Sequence, residues 1–183
     1  MKKSPFFHLS ILAVLIVFVS ACSQKAEYTN AIPANTTELA SINLKSLAEK
    51  AGINDKENKD ALKKLTEAMK TGMNAATFQQ LETVMKDPSK SGIDVTAPVY
   101  LFSAPTFNYT TVVAKVNNED DLKNLLEVAQ KEQICSEISS GDGYSYATVN
   151  NQALLAFNTN TFLAVSYNNP ASLDLVKEGI TAL

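Results

Sequence analysis

Three groups of residues carry types and spacings that could do chemistry. In Asp87-Pro88-Ser89-Lys90-Ser91-Gly92-Ile93-Asp94, the oxygens of Asp87, Ser89 and Asp94 could hold a cation or a ligand hydroxyl. The spacing is not that of a calcium loop. A tight helix-to-strand connection explains the same residues, with Pro88 blocking the helix. Tyr100 and Phe102, and likewise Tyr144 and Tyr146, stand two apart, the separation that puts neighbours on one strand face. Such rings form either a saccharide-binding platform or the apolar underside of a sheet, and the core reading is preferred. Cys135, in Gln133-Ile134-Cys135-Ser136, is read as a small buried residue, since only Lys131 stands near it as a cation.

Absent residue types narrow the chemistry further. The only histidine is His8, and there is no arginine. Beyond His8 the chain has neither the usual general base nor the commonest metal ligand, and it cannot clamp phosphate bidentately. Ser–His and Cys–His catalysis and His-ligated zinc are excluded, and nothing predicts a cofactor or metal. Nucleic acid is excluded as a partner, because the lysines are scattered among acids and the formal net charge is −3.

At the N-terminus, Lys2 and Lys3 precede an unbroken apolar run from Ile11 to Val19, followed by Ser20, Ala21 and Cys22. Charge, apolar run and small residues make residues 1–21 a signal peptide. The stretch from Phe6 to Ala21 is shorter than the roughly 20 apolar residues of a spanning helix. Val19-Ser20-Ala21-Cys22 resembles the processing site of bacterial lipoproteins. That resemblance implies that Cys22 becomes the first mature residue, with a diacylglyceryl group on sulfur and a further acyl chain on nitrogen. Anchoring by two or three chains is effectively permanent. Loss of Lys2 and Lys3 lowers 16 basic residues to 14 against 19 acids, moving the formal charge from −3 to −5.

The remaining 162 of 183 residues suit a single domain. Residues 22–35 read as a polar tether and 36–183 as one domain. A strand at Leu39–Ile42 leads through Asn43, a capping residue, into a short helix. Helices follow from Asn54 to Gly72, with Leu62, Leu65 and Met69 on one face, and from Asn74 to Lys86, closed by Asp87-Pro88. From Pro98 the period turns to alternation. Strands are predicted at Pro98–Ser103 and Tyr109–Val116, joined by a hairpin loop over 104–108, then at Tyr144–Val149, Ala153–Phe157 and Phe162–Tyr167. Asn117 to Asp121 opens a helix carrying Leu122, Leu125, Leu126 and Ala129 on one face, and Asn169-Pro170 opens the last one. Three strand–turn–helix stretches, from Leu39, Val112 and Phe162, suggest a weak internal repeat. The expected fold class is α+β: an antiparallel sheet with helices packed on one face and a helix-rich N-terminal part. The helical pattern is still running at Leu183, which suggests a fragment of a longer protein.

The Asp87–Asp94 segment, followed by Pro98-Val99-Tyr100-Leu101-Phe102, resembles a family of uncharacterised lipoproteins of anaerobic Gram-negative bacteria. Ile32-Pro33-Ala34-Asn35 and Leu39-Ala40-Ser41-Ile42 share that resemblance. It implies a longer protein, no established activity and no catalytic residues. The resulting expectation is a lipid-anchored envelope protein that is not an enzyme, acting as a binding or assembly component with a glycan or an envelope protein as partner. Ser23 after the cysteine, in place of aspartate, points to the outer membrane. A glycoside hydrolase working through two carboxylates and a surface-fibre subunit are the alternatives.

Overall fold

The computed structural model describes residues 27–52, 58–105, 110–167 and 172–181. Seven strands form one antiparallel sheet: β1 (Glu38–Ile42), β2 (Val99–Ser103), β3 (Thr110–Lys115), β4 (Ser139–Ser140), β5 (Ser145–Val149), β6 (Ala153–Phe157) and β7 (Thr161–Ser166). Their spatial order is β1-β2-β3-β7-β6-β5-β4. The described helices are α1 (Leu44–Lys50), α2 (Lys59–Gly72), α3 (Ala75–Lys86), α4 (Glu119–Lys131) and α5 (Leu173–Thr181), with 3₁₀ turns at Tyr28–Ala31 and Pro88–Ser91. Residues 1–26, including Cys22, lie outside the described residues. So do the expected helix start at Asn54–Glu57, the tip of the β2–β3 loop, Asn169-Pro170 and Leu183.

The α+β class is as expected, but the helices do not share one face. Register fixes the two sides, since Val113 pairs with Leu163 and Thr111 with Val165, while Ala114 pairs with Phe162. Phe102, Val113, Leu154, Leu163 and Val165 point to the first face, where Val176 and Ile180 of α5 and Tyr28 cover them. Phe157 and Val116 point to the second, under Leu122 and Leu126 of α4. The cause lies in the central strands. The run Ala153-Leu154-Leu155-Ala156-Phe157 is apolar throughout, so both of its faces need a partner, as in a strand buried on both sides. On the second face α3 packs against α4, and α2 packs in turn against α3. Phe78 of α3 is buried, whereas α2 buries no residue and leaves Leu65 more than half exposed.

Asparagines start three of the helices. Asn43 Oδ1 accepts from Ser46 N at 2.8 Å, Asn74 Oδ1 from Thr77 N at 2.9 Å, and Asn118 Oδ1 from Asp120 N and Asp121 N at 3.0 and 3.2 Å. Each satisfies an amide that the helix itself leaves unpaired. The expected strand–turn–helix units form as β1–α1, β3–α4 and β7–α5. They do not stack equivalently, because α4 and α5 lie on opposite sides of the sheet.

Part of the expected tether belongs to the domain. Tyr28 is buried beneath the sheet, its hydroxyl donates to Pro98 O at 2.8 Å, and its ring lies 6.2 Å from that of Tyr100. Thr37 N and Oγ1 both donate to Ser103 O, so the segment continues into β1 without a break. Composition puts the boundary at residue 36, because Gln24 to Asn35 is mostly polar. One buried tyrosine outweighs that composition.

Candidate functional site

The expected ligand residues separate into several places. Asp87 Oδ1 accepts from Ser89 N at 3.1 Å and Ser89 Oγ at 2.6 Å, closing the Pro88–Ser91 turn. Those bonds, the serine hydroxyl first, hold the Asp87 carboxyl below its ordinary pKa. Asp94 Oδ1 accepts from Thr96 N at 3.0 Å and Thr96 Oγ1 at 2.6 Å, and its Oδ2 pairs with Lys115 Nζ at 3.0 Å. The Thr96 hydroxyl, then Lys115, bring its pKa down to about 2. Both carboxylates thus serve their own turns.

Between them, Gly92 makes the close approach that the segment is built around. Its φ is +82°, its carbonyl accepts from Asn117 N and Asn118 N, and a Cβ there would lie 2.5 Å from Asn118 O and Leu122 N. The Asp87–Asp94 segment therefore docks the start of α4 against the sheet.

The four aromatics share the first face but not one patch. Tyr100 and Phe102 lie on β2, and Tyr144 and Tyr146 lie at β5, with β3, β7 and β6 between. At the usual strand spacing that separation is roughly 19 Å. Phe102 is buried, Tyr100 is half-buried against Tyr28, and Lys177 Nζ sits 4.5 Å from the centre of the Tyr146 ring. Tyr144, whose ring lies 6.0 Å from that of Tyr146, reaches a cleft.

That cleft, about 250 Å³, is where four separate elements meet on the first face. The Tyr28–Ala31 turn brings Glu27 and Asn30, the β4–β5 hairpin brings Asp142 and Tyr144, and the β6–β7 turn brings Asn158 and Thr161. Ala156, Leu163 and Ile180 line the apolar part. Two local features fix its walls. A Cβ on Gly141 would fall 2.5 Å from Tyr144 Cζ, so the ring lies directly over glycine backbone. Asn158 Oδ1 accepts from Asn160 N and Thr161 N, both at 2.9 Å, which sets the β6–β7 turn.

Glu27, Asn30, Asp142 and Asn158 carry no ligand signal in the sequence. Asp142 and Asn158 look like ordinary turn residues, and only the sheet order brings them beside Glu27, more than 100 residues away. Among the described residues no group of three or more His, Cys, Asp or Glu side chains is placed to hold a metal. Cys135 is buried, its thiol donates to Leu126 O at 3.4 Å, and burial pushes its pKa up, as a structural cysteine requires.

The chain is an antiparallel α+β domain whose sheet carries a cleft lined by both polar and apolar residues. Residues 28–183 match the family described as Domain of unknown function (DUF4836), and the chain belongs to that family. No curated protein and no solved structure matches it. No helix among the described residues is long and apolar enough to cross a membrane.

Proposed function

We propose that this protein is a lipid-anchored component of the cell envelope that binds its partner without turning it over. The cleft carries the reading: its polar lining consists of carboxylates, amides and hydroxyls, groups that recognise hydroxyls and amines. Attachment through Cys22, held in the outer membrane, is supported by the Val19–Cys22 pattern and by Ser23. Between Cys22 and Glu27 the chain reaches no further than about 18 Å, so the anchor would hold the cleft close to the bilayer. The lack of any histidine beyond His8, the lack of arginine and a buried Cys135 whose pKa is pushed up by burial support binding over turnover.

A carboxylate-dependent glycoside hydrolase is the second reading, and the presence of Glu27 and Asp142 in one cleft favours it. Two measurements separate the readings. Fatty-acid labelling should mark the wild-type chain and be absent from Cys22→Ala; equal labelling of both would overturn the anchor. Incubation with polysaccharides should release no reducing sugar. Sustained release that is abolished by Glu27→Gln or Asp142→Asn, with the unfolding midpoint unchanged, would make the protein an enzyme.

A further inference from the structure

The geometry points to a single saccharide unit, neutral or amino-substituted and never acidic, as the ligand of the cleft formed by Glu27, Asn30, Asp142, Tyr144 and Asn158. This rests on the reading of the protein as a binding component and names the chemical class that its cleft would take. A volume of about 250 Å³ lies just below the ~300–1,000 Å³ of sites for larger organic ligands, which suits one sugar ring and not a peptide or a lipid tail. A pyranose has an apolar C–H face and a rim of hydroxyls. The cleft offers both kinds of partner, with Tyr144, Leu163 and Ile180 among its apolar lining and Glu27, Asn30, Asp142, Asn158 and Thr161 among its polar lining.

The platform is held in place before any ligand arrives. Tyr144 rests over Gly141, whose N–H donates to Tyr144 O at 2.7 Å across the hairpin. Fixing an aromatic ring in advance removes much of the ordering cost of binding. Tyr146 does not line the cleft, and Lys177 lies over its ring.

Charge sets the selectivity. Among the described residues, Glu27 and Asp142 line the cleft and no lysine does. A uronic acid would bring a third carboxylate among these without a cation to offset it, whereas a protonated amine would find two partners.

Isothermal titration of the acylated chain in detergent micelles tests this directly. The probes are oligosaccharides of glucose, mannose, galactose, glucosamine and galacturonic acid. At least one neutral or amino sugar should bind, and galacturonate should bind at least tenfold more weakly than the best of them. Tyr144→Ala should weaken that sugar at least tenfold, about 1.4 kcal/mol, while Tyr144→Phe stays within about threefold. For an amino sugar, Asp142→Asn should also weaken binding, with the unfolding midpoint unchanged. Binding of none of the five, a preference for galacturonate, or full affinity in a folded Tyr144→Ala variant would each overturn the inference. Those results leave Cys22 labelling untouched, and sugar release in the same tubes would instead overturn the non-catalytic reading.

Discussion

Asp94 shows how a residue that looks like a ligand is used up by local structure. One of its oxygens holds the Thr96 turn and the other pairs with Lys115, and its pKa falls to about 2 as a result. A carboxyl whose pKa is lower folded than unfolded stabilises the native state above its unfolded value, near 3.9. That contribution is lost as pH falls from about 4 through 2. Asp94→Asn should therefore cost on the order of 1–2 kcal/mol at pH 7 and flatten the loss of stability over that window. Chemical denaturation at pH 7, 4 and 2.5 checks it, and an Asp94→Asn profile parallel to wild type would contradict the assignment. Legibility differs from residue to residue. The turn role of Asp87–Asp94 and the buried state of Cys135 could be read from composition and spacing. The cleft residues could not, since Asp142 between two glycines looks like any other turn acid.

At the scale of elements, the Pro88–Ser91 turn and α4 depend on one glycine. Gly92 combines positive φ with backbone atoms where a side chain would stand. Gly92→Ala should therefore destabilise by at least about 2 kcal/mol, lowering the thermal midpoint by roughly 4–8 °C. At the end of α2, a Cβ on Gly72 would meet nothing within 4 Å, so Gly72→Ala is the matched control and should not lower the midpoint. Equal losses from the two substitutions would show that close packing at Gly92 is not what matters. Most elements were legible because their signals are local. The β6 strand matches its predicted span of Ala153–Phe157, and Asn150-Asn151 forms the expected turn with φ of 49° and 54°. The β4 strand was not legible, because Ser139-Ser140 is two polar residues held only by pairing with Tyr146 and Ser145.

For the whole molecule, the N-terminal segment is structural. Tyr28 fills the first face beneath β3 and β7, so a soluble chain beginning at Thr36 lacks a core residue that one beginning at Glu27 retains. Burying a large side chain and its hydroxyl contact is worth on the order of 3 kcal/mol. The shorter chain should therefore melt roughly 6–12 °C lower. Matching calorimetric midpoints would restore residues 27–35 to the tether. The same experiment bears on the cleft, since Glu27 and Asn30 leave with the segment.

Residue order and hydropathy alone were enough for the α+β class, most strand and helix spans and the Asn43 cap, because each depends on neighbours within a few positions. Strand order, the division of helices between two faces and the cleft depend on pairings between distant residues. A strand such as Ala153–Phe157 is apolar on both sides and so does not record which helix covers which face. Glu27, Asp142 and Asn158 become one site only because β7 inserts beside β3, bringing the last hairpins under the Tyr28 turn, and that contact has no local signal in the chain.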